Sequence, residues 1–156
     1  MGLKIGDKAP YFELVDTELK IRTIDEFAGK KIMLVFFVAA HSPVCKNEIC
    51  EFQKSLNYIS NLNVQTLGIS NDGPFANKAF ADKYNIEFPI LGDYNSKTII
   101  EYGVLMRDLL HIKNYNAAKR SIFIINEKRI ITYIWISDDP LVEPNYNEIK
   151  KFLENQ

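Results

Sequence analysis

The chain has 156 residues, 47% of them hydrophobic and 25% charged, which is ordinary globular usage with enough length to bury a real core. The 19 basic and 20 acidic residues leave a formal charge of −1, so no global field draws the protein to nucleic acid or to an anionic membrane. Two cysteines and two histidines are too few for a disulfide scaffold or a zinc-type ligand set.

The N-terminal MGLKIGDKAP lacks the apolar core and cleavage site of a secretory signal, and Gly6 stands where a myristoylation motif needs Ser or Thr. The expected compartment is the cytoplasm. Residues 11–15 (YFELV) and 20–23 (KIRT) flank the polar turn Asp16-Thr17-Glu18 and predict a β-hairpin, with Phe12 and Leu14 on one face, lying as a cap on a larger sheet. Thr23 with Asp25 and Glu26 predicts one helical turn ending near Gly29.

KIMLVFF at 31–37 does not alternate and is rich in branched and aromatic side chains, the pattern of a strand covered on both faces. The longest apolar run, Ile32 to Ala40, is nine residues, whereas a membrane-spanning helix takes about 20. A long helix from Pro43 carries Cys45, Ile49, Phe52, Leu56 and Ile59 as a single apolar stripe, and proline suits its first turn because an N–H there has no partner to lose. Residues 64–70 (VQTLGIS) complete a βαβ unit. Asn71-Asp72-Gly73-Pro74 then starts a second helix, with Asn or Asp as its cap and Ala76, Phe80 and Tyr84 as its apolar face.

FPIL (88–91) predicts a short strand, and Ser96 to Tyr102 a helix closed by Gly103. Residues 104–119, mixed apolar and basic, read as a loop with room for some helix. SIFII (121–125) and RIITYIWI (129–136) predict an antiparallel hairpin about Asn126-Glu127-Lys128. After the acidic turn DDPLVEP, Asn145 with Glu148 three residues on caps a final helix bearing Tyr146, Ile149, Phe152 and Leu153. With no repeat or linker, residues 1–156 are expected to form one domain: a thioredoxin-like α/β fold, a central mixed sheet flanked by helices with an N-terminal β-hairpin extension.

In open sheets of this kind chemistry sits beyond the carboxyl ends of the strands, and Cys45 follows the carboxyl end of KIMLVFF. It falls on the first turn of its helix, where unpaired N–H groups and the helix dipole favour a thiolate, the reactive form of cysteine. Cys50 has Lys46, Asn47, Gln53 and Lys54 as helical neighbours, which places it off the apolar stripe and near solvent. Five residues of helix separate the two by about 140° and about 7.5 Å of rise, beyond the Cα reach of a disulfide. A bond between them requires the first turns to unwind.

FFVAAHSPVCKNEIC (36–50) resembles the active-site segment of peroxiredoxins of the AhpC/TSA group, Pro-x-x-x-Thr/Ser-x-x-Cys after a hydrophobic strand, with Ser42 and Cys45 at the matching positions. Glu48 also matches, as do GDKAPYFEL (6–14) and KRSIFII (119–125), and the likeness runs over nearly the whole chain. It implies a thiol-dependent peroxidase that reduces hydrogen peroxide and organic hydroperoxides without metal, haem or flavin. Cys45 is then the nucleophile, Ser42 holds the peroxide, Arg120 faces the thiolate and Glu48 orients Arg120. The Cys-x4-Cys spacing resembles the bacterioferritin-comigratory type, which implies that Cys50 resolves the Cys45 sulfenic acid and that a thioredoxin-like dithiol reduces the resulting disulfide, in a monomer or homodimer. Two positions depart from the pattern: Val38 replaces the proline, and His41 an aromatic residue. A redox sensor or binding module of weak peroxidase activity on the same fold is the competing expectation, since Val38 reads as a mark of lost efficiency. A thioredoxin-like disulfide reductase lacks its Cys-x-x-Cys, and a Cys-His hydrolase lacks a third orienting group.

Overall fold

A computed structural model describes residues 2–156. Its main sheet has seven strands in the order β2-β1-β5-β4-β3-β8-β9: β1 (Glu13–Val15), β2 (Ile21–Thr23), β3 (Lys31–Phe36), β4 (Val64–Ser70), β5 (Ile90–Gly92), β8 (Ser121–Ile125) and β9 (Ile131–Ile136). Strands β3, β4 and β5 run parallel, while β8 is antiparallel to β3 and β9 to β8. The KIMLVF run lies inside the sheet, as its lack of alternation predicts. Ile32, Leu34 and Phe36 enter one apolar layer, and Met33, Val35 and the following Phe37 enter the other.

Among the described residues, five α-helices flank the sheet: α1 (Pro43–Lys54), α2 (Leu56–Asn61), α3 (Pro74–Tyr84), α4 (Lys97–Glu101) and α5 (Tyr146–Glu154). Residues of α1, α2, α3 and α5 pack in one layer with Val35 and Phe37. Residues of α4 and of the one-turn 3₁₀ helix Ile24–Phe27 pack in the other, with Phe12 and Leu14. No helix among the described residues is long and apolar enough to cross a membrane.

The structure corrects several details. The N-terminal hairpin does not lie over the sheet as a cap but extends its edge, because β1 pairs with β5 at Val15 and Gly92. The long helix breaks at Ser55 into α1 and α2, and its buried stripe takes in Glu48 while Leu56 is only half-buried. On α3, Phe80 and Tyr84 face the core as expected, but Asn77 is buried there and Ala76 faces solvent. Neither Asn71 nor Asp72 caps α3; Gly73 holds the N-cap position without a side-chain bond, and Asp72 points elsewhere. Residues 104–119, read as a loop with room for some helix, hold a 3₁₀ turn at Leu109–His111 and also a small antiparallel pair that was not expected, β6 (Leu105–Met106) with β7 (Ala117–Ala118).

Candidate active site

The loop 37–42 leaves the sheet where β3 and β4 end side by side, Phe36 opposite Ile69. Its amides are distributed one by one. Phe37 N–H donates to Ile69 O at 2.9 Å, Ala39 N–H to Cys45 Sγ at 3.4 Å, and Ala40 N–H to Asp72 Oδ2 at 2.8 Å. His41 turns the chain with a left-handed φ of 68°, a conformation that costs a non-glycine residue about 1–3 kcal/mol and persists only when its surroundings hold it. Its ring stands edge-on against Phe80 at 5.3 Å and tilted against Tyr84 at 6.2 Å, so this exposed histidine is held on one side by aromatic rings.

Ser42 then caps α1, its Oγ accepting from the Cys45 N–H at 3.4 Å, with Pro43 in the first turn as the sequence predicts. Cys45 is fully buried, in the apolar layer with Phe37, Val38 and Ile49. Cys50 is half-buried, less open than its polar neighbours suggest, and both thiols are free. Because α1 is unbroken from Pro43 to Lys54, a bond between them requires that helix to open.

Arg120 immediately precedes β8, whose Ser121 pairs with Phe36, so the register sets it beside the start of the active-site loop. It is 2% exposed. Its Nη1 donates to Glu48 Oε1 at 3.2 Å and its Nε to Pro140 O at 2.5 Å. Glu48 is 0% exposed, and its Oε2 has no partner among the described residues. Burial pushes the Glu48 carboxyl up to about 8 against the pull of Arg120, and Glu143 adds to the rise. Glu48 and Arg120 are therefore a buried, hydrogen-bonded pair rather than surface charges.

The sequence-predicted residues thus form two linked groups, Ser42 with Cys45 and Glu48 with Arg120, while Cys50 stands one to two turns along the same helix. Sequence reasoning missed Asp72, whose partner is 32 positions away, and the Pro140 carbonyl, hidden in a stretch read only as an acidic turn. No group of three His, Cys, Asp or Glu among the described residues could hold a metal ion.

Residues 5–134 match the AhpC/TSA family. The chain belongs to that family. A putative peroxiredoxin bcp of Coxiella burnetii is 33% identical over 135 residues, covering 86% of this chain and 89% of the relative. The crystal structure of Enterococcus faecalis AhpC superposes with a TM-score of 0.87 at 27% identity, over 99% of this chain and 92% of that one. A peroxiredoxin-like protein from Aquifex aeolicus gives 0.88 at 25% identity, over 99% and 88%. This AhpC/TSA chain is a thiol-dependent peroxidase on the thioredoxin-like fold, and the sensor reading is not favoured. Within it, the family's proline position carries Val38, which is buried in the layer that holds Cys45.

Proposed function

We propose that Cys45 is the peroxidatic nucleophile and that hydrogen peroxide and organic hydroperoxides are its substrates. The observation that carries this reading is the Cys45 sulfur at the first turn of α1 with the Ala39 N–H directed at it. The thiolate attacks one peroxide oxygen; the S–O bond forms, the O–O bond breaks, and the departing oxyanion takes up a proton to leave as water or an alcohol. Ser42 Oγ accepts from the Cys45 amide, which leaves its own proton to donate to a peroxide oxygen. Arg120 has Nε and Nη1 engaged, and its Nη2 edge supplies positive charge for the developing oxyanion. Glu48 and Pro140 O fix that guanidinium.

The product is a Cys45 sulfenic acid. The Cys50 thiol condenses with it, forming the disulfide and releasing water, once the first turns of α1 have opened. A thioredoxin-like dithiol restores both thiols by two exchange steps and leaves oxidised. The same reading treats residues 1–156 as one domain working in the cytoplasm. Peroxide consumption with a thioredoxin and its reductase, compared between wild type and Cys45→Ser, tests the proposal. Consumption is expected to vanish in the variant, and equal rates would overturn the assignment.

A further inference from the structure

Asp72 occupies a helix-start sequence and caps no helix. Its carboxylate instead reaches back to the end of β4 and across to the active-site loop: Oδ2 accepts from the Ser70 hydroxyl at 2.7 Å and from the Ala40 N–H at 2.8 Å. The Ser70 Oγ in turn accepts from the Asp72 N–H at 3.2 Å, so carboxylate and hydroxyl lock each other in place. Ser70 is fully buried at the last position of β4, which makes it a rigid anchor.

The residue before Ala40 supplies the N–H aimed at the Cys45 sulfur. Holding the Ala39–Ala40 peptide therefore constrains the orientation of the Ala39 amide one α-carbon away. A proline at position 38 would stiffen this loop by fixing φ; Val38 supplies no such restraint. From the other side Gly92 makes the room Asp72 needs, because a Cβ there would stand 2.6 Å from the Asp72 carbonyl oxygen. Backbone in a sheet cannot yield that much without displacing Asp72.

We propose that Asp72 is a positioning residue for the peroxidase reaction, pinning the active-site loop through the Ala40 N–H so that the Ala39 N–H stays on the Cys45 sulfur. The inference rests on the peroxidase role of Cys45. A second reading of the same carboxylate makes the opposite prediction: a negative charge near a thiolate repels it, so that removing the charge would speed the reaction. Hydrogen-bonded positioning and charge repulsion are separated by the asparagine variant, which keeps an acceptor oxygen and drops the charge.

The test is the second-order rate of Cys45 oxidation by hydrogen peroxide, followed by quenched-flow mass spectrometry on the full chain, with thermal unfolding of each variant measured in parallel. Asp72→Ala is expected to slow the reaction by about ten- to a hundredfold at a temperature where it is fully folded, and Asp72→Asn to restore most of that loss. Gly92→Ala and Ser70→Ala are expected to slow it in the same direction, and they carry the test where Asp72→Ala does not fold. Folded variants that all react as fast as wild type, or Asp72→Ala and Asp72→Asn both faster than it, would overturn the positioning role. A wild-type protein inert to peroxide would instead overturn the role of Cys45, and this inference with it.

Discussion

Glu48 is the residue whose surroundings have the sharpest consequence. A buried carboxyl with one oxygen unpartnered among the described residues holds its proton to about pH 8. Below that pH a neutral acid leaves the positive charge of Arg120 undivided; above it a carboxylate 3.2 Å away neutralises much of that charge. The peroxide rate of wild type is therefore expected to fall as pH rises through about 8, and Glu48→Gln to flatten that limb of the profile. Stability follows the same proton. The folded value lies above the ordinary carboxyl value of 4.5, so the folded state binds the proton more tightly and loses stability as pH rises from about 4.5 to about 8. At its steepest the loss is about 1.4 kcal/mol per pH unit. Urea unfolding at intervals from pH 5 to pH 8 should show wild type declining relative to Glu48→Gln, and parallel curves would contradict the burial argument. Arg120→Lys keeps the charge but not the planar fork that reaches Glu48 and Pro140 O together, and should lower the peroxide rate by about a hundredfold.

At the scale of elements, the proposed cycle asks α1 to serve two states. Folded, it buries Cys45, Glu48, Ile49 and Phe52 and places the sulfur at its N-terminus. In the proposed cycle, a Cys45–Cys50 disulfide requires the same turns to come apart, which would take Glu48 off Arg120 and Ser42 off the Cys45 amide. Hydrogen exchange should show the amides of residues 45–50 exchanging faster in the oxidised protein than in the reduced one; equal protection would argue that Cys50 is not the partner. The helix itself was legible from its Ser-Pro opening and its apolar spacing. The pairing of Glu48 with Arg120, 72 positions away, came from the family resemblance, but its burial was not legible, because a glutamate among Lys46, Asn47 and Glu51 carries no local sign of facing the core. Asp72 misled for the same reason: locally it is a cap, and only the parallel pairing of β3 with β4 brings the Ala40 N–H within its reach.

For the whole molecule, the sheet is what keeps these loops in register. Its strands were legible because β-branched and aromatic runs such as KIMLVF and SIFII admit little else. The segment 104–119 was not, because two-residue strands carry no periodicity and are fixed only by pairing across the loop between them. Phe36, Tyr102 and Phe123 form an aromatic cluster with ring separations of 5.3 to 5.7 Å beneath the active-site strand. Phe123→Ala should cost about 3–5 kcal/mol of unfolding free energy, seen as a lowered urea midpoint; a change under about 1 kcal/mol would contradict the packing described. The most direct test of the account is the intact mass after one equivalent of hydrogen peroxide. Wild type should lose about 2 Da with a Cys45–Cys50 disulfide, and Cys50→Ser should gain about 16 Da on Cys45. An unchanged mass, or oxidation falling on residues other than Cys45, would contradict it.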